Sequence, residues 1–65
     1  MSPERAELSS LASSLDQLTR RVTSLGEAAA SHKDERVAGE LFAVERSLVT
    51  AGRRLERLVS SLGDR

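Results

Sequence analysis

The chain has 65 residues, 38% of them hydrophobic and 31% charged, and its ten basic and ten acidic side chains give a formal net charge of zero. Bulk charge therefore points to neither a nucleic acid nor an anionic membrane as partner. With no cysteine, a single histidine (His32) and a single aromatic residue (Phe42), the chain has no disulfide, thiolate metal site, histidine cluster or base-stacking platform.

Ser2-Pro3-Glu4 is a helix start. Serine caps, proline suits the first helical position, and Glu4 and Glu7 favour the positive end of the helix dipole. An apolar stripe follows at heptad spacing: Leu8, Leu11, Leu15, Leu18, Val22 and Leu25. Gly26 lies inside the pattern, but Glu27-Ala28-Ala29-Ala30 are good helix formers, so the first helix is expected to span about 3–30. Ser31-His32-Lys33-Asp34 resembles a capping box, which places the turn within 30–34 even though it contains neither glycine nor proline. A second helix is expected over about 34–62, with Gly63 as its stop. Its stripe is Val37, Leu41, Val44, Leu48, Ala51, Leu55, Leu58 and Leu62.

The two stripes are out of phase. The twelve-residue step from Leu25 to Val37 rotates the seam by about 120° on a continuous helix. A simple stutter rotates it by only about 20°. A break lets both stripes meet, so the expected fold is all-α: one domain over 1–65, an antiparallel two-helix hairpin of coiled-coil type. The expected hairpin seam is Leu8, Leu11, Leu15, Leu18, Val22, Leu25, Val37, Leu41, Val44, Leu48, Leu55, Leu58 and Leu62.

Small residues flank the first stripe: Ser9, Ser10, Ala12, Ser13, Ser14, Thr19, Thr23 and Ser24, which allow close approach of another backbone. The second helix carries a further stripe, Ala38, Phe42, Val49 and Val59, which widens its apolar face. Such width is what a four-helix bundle needs. The expectation is a homodimer built through that stripe. The second helix is acidic from Asp34 to Glu45 and basic from Arg46 to Arg57. Antiparallel packing on its mate would set Phe42 against Val49, Glu45 against Arg46 and Asp34 near Arg57.

Catalysis is not expected. No histidine stands near the serines for a triad, and Gly26, Gly39, Gly52 and Gly63 are too scattered for a phosphate loop. No cofactor or metal is expected. No apolar run reaches the length of a membrane span and no signal-peptide stretch is present, so a cytoplasmic location is the default.

Ser31-His32, followed by a charged run and an apolar helix, resembles the dimerisation hairpin of histidine kinases. Glu35-Arg36-Val37-Ala38-Gly39-Glu40-Leu41 is similar to the segment that leads to the phosphoacceptor histidine in one kinase subfamily. Phe42 stands where that histidine would fall, and His32 lacks the acidic residue and proline of the other type. The resemblance implies a hairpin that dimerises and not phosphotransfer.

The functional expectation is a non-enzymatic oligomerisation or adaptor module that binds itself and another protein through helix faces. The alternative is a small regulator that docks on the transcription machinery or nucleic acid through Arg53, Arg54 and Arg57, the densest basic patch. A nucleic-acid footprint normally shows a net basic surface, which this chain lacks. A small anionic ligand between arginines of adjacent helices is a third possibility, and nothing in the spacing selects one.

Overall fold

A computed structural model describes residues 3–63. Helix α1 spans Pro3–Ser31 and helix α2 spans Glu35–Gly63, and the two pack against each other as an antiparallel hairpin. The expected cap Ser2 and the residues after the Gly63 stop lie outside the described residues. Gly26 is helical, as the alanine-rich run after it requires.

The turn closes α1 with a Schellman arrangement. The Lys33 N–H donates to Ala30 O at 3.0 Å and the Asp34 N–H donates to Ala29 O at 2.9 Å. This geometry needs a left-handed residue, and Lys33 supplies it with φ 61°. No glycine is used there, so the turn carries the steric cost of a side chain in that region. Asp34 then starts α2. Its Oδ1 accepts the Val37 N–H at 3.3 Å and its carbonyl accepts the Ala38 N–H at 3.0 Å. The N-cap is therefore Asp34 and not Ser31, because Ser31 is still in the last turn of α1.

The seam differs from the heptad expectation. Leu8, Leu15 and Val22 of α1, and Val37, Leu41, Leu48, Leu55 and Leu62 of α2, are half-buried. Leu11, Leu18 and Leu25 are 52%, 47% and 60% exposed, and Val44 and Leu58 are each 45% exposed. Their places are taken by residues expected on an outer stripe. Ala38 is the most buried apolar side chain, at 6%, and Phe42, Val49 and Val59 are half-buried in the seam. The reason is the column of small residues on α1. Ala12, Thr19 and Gly26 recur every seven positions; Gly26 admits the Phe42 ring at close range, and Ala12 and Thr19 line one recess with Val49. Phe42, Val49 and Glu45, expected at the dimer contact, are half-buried in the hairpin itself, whereas Arg46 is exposed.

Two polar contacts across the seam support this register. Thr23 Oγ1 lies 2.8 Å from Glu45 Oε2 and 3.1 Å from Thr19 O. Its one proton goes to the carboxylate, where the bond is charge-assisted and shorter. At the open end the Arg5 Nε–H donates across the seam to Val59 O at 3.3 Å. Thr19 Oγ1 turns back on its own helix to Leu15 O at 2.7 Å.

The hairpin is long and thin, with extents of 49 × 14 × 11 Å and a radius of gyration of 14.8 Å. A compact domain of this length would have a radius near 11 Å. Among the described residues no large side chain is fully buried.

Candidate interaction face

The five exposed large apolar residues fall in heptad register: Leu11, Leu18 and Leu25 on α1, Val44 and Leu58 on α2, with exposed Ala51 midway between the last two. At 100° per residue the α1 stripe sits about 90° round from the middle of the arc that α1 buries, formed by Leu8, Ala12, Leu15, Thr19 and Gly26. The α2 stripe sits about 90° round, in the same rotational sense, from the arc of Leu41, Glu45, Gly52 and Val59. Antiparallel helices are related by a pseudo-two-fold axis normal to the plane of the hairpin. Such an axis keeps equal offsets on one side, so both stripes open on the same face. The half-buried leucines of the seam form its floor.

The levels of the stripes match. Gly26 meets Phe42 and Leu15 meets Gly52 across the seam. Leu25 therefore lies level with Val44, Leu18 with Ala51 and Leu11 with Leu58. The outcome is one apolar face, two helices wide and three tiers long. It is larger than the scattered single leucines of an ordinary surface.

The opposite side is polar. A shallow groove there is lined by Ser9, Asp16, Arg20, Glu56 and Ser60 among others. Arg20 Nε pairs with Asp16 Oδ2 at 3.0 Å, one helical turn away. The basic patch expected of Arg53, Arg54 and Arg57 is divided. Arg53 and Arg57 share a recess with Glu56 and Ser60, whereas Arg54 lies in another with Arg46, Ser47 and Thr50. All three are exposed, and Glu56 places a negative charge beside Arg53 and Arg57.

His32 stands at the turn, exposed, with Nδ1 2.8 Å from Ala28 O. A carbonyl only accepts, so this bond uses the tautomer with the proton on Nδ1. Among the described residues no group of three or more His, Asp or Glu side chains is placed to hold a metal ion. No helix among them is long and apolar enough to cross a membrane.

Two features of the seam escaped the heptad reading. One is Gly26, buried in the seam; the other is Thr23 with its cross-helix partner Glu45. Both signals were present as small residues at helical spacing on α1, but only the facing residues of α2 reveal which of them are used. No protein-family model, curated protein or solved structure matches this chain.

Proposed function

We propose that the chain is a cytoplasmic, non-enzymatic association module that joins copies of itself through the leucine face and serves as an oligomerisation or adaptor unit for another protein. The observation that carries this reading is the face of exposed Leu11, Leu18, Leu25, Val44 and Leu58 on one side of a hairpin whose whole surface is larger than that of a compact monomer. A compact monomer of 7.0 kDa exposes about 4,000 Å². This hairpin exposes 5065 Å². The difference, roughly 1,000 Å², is comparable with the ~800 Å² that each partner contributes to a standard interface. Burial of the stripes supplies the driving force, at roughly 25 cal/mol per Å² of apolar surface before the entropy of association.

Nucleic-acid binding is the weaker reading, because the three arginines diverge around α2 and Glu56 stands beside two of them. The test is molar mass by light scattering over a concentration series. Self-association predicts a mass above 7.0 kDa that falls on dilution. A mass that stays at the monomer value up to millimolar concentration overturns it.

A further inference from the structure

The two helices repeat each other on the leucine face. A shift of 33 positions sets Glu7 on Glu40, Leu8 on Leu41, Ser14 on Ser47, Leu15 on Leu48, Arg21 on Arg54 and Leu25 on Leu58, each an identity. The same shift sets Leu11 on Val44, Leu18 on Ala51 and Val22 on Leu55. On the other side the match is poorer, with Ser9 against Phe42 and Asp16 against Val49, although Arg20 falls on Arg53. The shift carries half-buried Leu8, Leu15 and Val22 onto half-buried Leu41, Leu48 and Leu55, so it is compatible with a pseudo-two-fold that relates the two helices. Each helix thus presents the same edge to a newcomer: a leucine-rich stripe with glutamate toward its N-terminal end and arginine two heptads further on.

We infer that the partner on this face is a second copy, seated with its turn at the same end, so that α1 lies against α2 of the partner subunit. The inference rests on the association reading above and adds which helix meets which. The central tier decides the end-to-end orientation. Turns at the same end set Leu18 against the partner's Ala51, Leu25 against the partner's Val44 and Leu11 against the partner's Leu58. Turns at opposite ends would crowd Leu18 on the partner's Leu18 and leave Ala51 facing the partner's Ala51 across a gap. Large against small fills a layer evenly, whereas large on large beside small on small leaves a void and strain together. The assembly is a four-helix bundle with four similar edges around one core.

The cysteine-free chain makes the test direct. Leu18→Cys and Ala51→Cys chains are prepared singly and as a mixture refolded together, then oxidised and run on a denaturing gel, with mass checked by light scattering. The expected result is a cross-linked dimer in the mixture and little in either chain alone. Efficient cross-linking of Leu18→Cys with itself means opposite turns and overturns the arrangement while self-association stands. A dimeric mass with no cross-link in any sample removes this face from the interface. A monomeric mass with helicity retained contradicts self-association itself.

Discussion

The ring of Phe42 occupies the space that a side chain on Gly26 would fill. Its Cε1 carbon comes within 2.9 Å of the position of a Cβ on Gly26, and its Cδ1 and Cζ within 3.2 Å. This contact fixes the register of the hairpin near its closed end and keeps Phe42 off the outer surface. Gly26→Ala would gain up to ~1 kcal/mol of helix propensity. It must also displace the ring from a packed seam, at ~1–3 kcal/mol. The expected net outcome is a lower melting temperature by circular dichroism. Gly39, with nothing near its missing Cβ, is the control. Gly39→Ala should stabilise by ~0.5–1 kcal/mol, a rise of a few degrees for a chain of this size. If both alanines stabilise alike, the ring does not sit on Gly26.

Phe42→Ala removes the same contact from the other side. Fully buried Phe→Ala changes cost ~3–5 kcal/mol, and a half-buried ring should cost less, ~2 kcal/mol. Urea unfolding should show a reduced midpoint. An unchanged midpoint would mean that Phe42 contributes nothing to the seam.

Thr23→Val keeps the shape of the side chain and deletes the hydrogen bond to Glu45. The half-buried carboxylate then loses a charge-assisted partner, with an expected loss of ~1 kcal/mol. Glu45→Ala in the Thr23→Val background should cost less than Glu45→Ala alone. Additive losses in this double-mutant cycle would show that the two side chains do not interact.

The turn offers a gain and a loss at adjacent positions. Lys33→Gly relieves a left-handed residue of its side chain and should stabilise the hairpin by ~1 kcal/mol, less the added freedom of the unfolded glycine. Asp34→Ala deletes the cap of α2 and should cost ~1 kcal/mol. Thermal melts of the two variants should shift in opposite directions. A drop in both would remove the Schellman arrangement at Lys33.

The hairpin was legible because its evidence is local. The phase step between Leu25 and Val37 demands a break, and the acidic start at Asp34-Glu35 positions the second helix. Which stripe turns inward was not legible. Heptad spacing identifies residues that prefer burial against some helix, but it does not say whether that helix is the other arm or another molecule. Leu18 and Leu15 carry the same signal, and one is outside while the other is in the seam. The choice is made by a non-local fit: Phe42 packs on Gly26 and Val49 shares a recess with Ala12 and Thr19, and with these residues turned inward both leucine stripes face outward together. The divided arginines follow from the same cause. Arg53, Arg54 and Arg57 look like one cluster along the chain, and helical rotation sends Arg54 to a different side.

The most direct test of the account is the solution mass of Leu18→Glu beside that of the unmodified chain, with helicity recorded for both. Leu18 is 47% exposed at the middle of the face, where a carboxylate can reach water in the single hairpin but not within a bundle. The account predicts that the unmodified chain is dimeric and that Leu18→Glu is monomeric at the same concentration, with a helical spectrum at low temperature. A Leu18→Glu chain that remains fully dimeric would contradict it, because the leucine face could not then be the surface that joins the two copies.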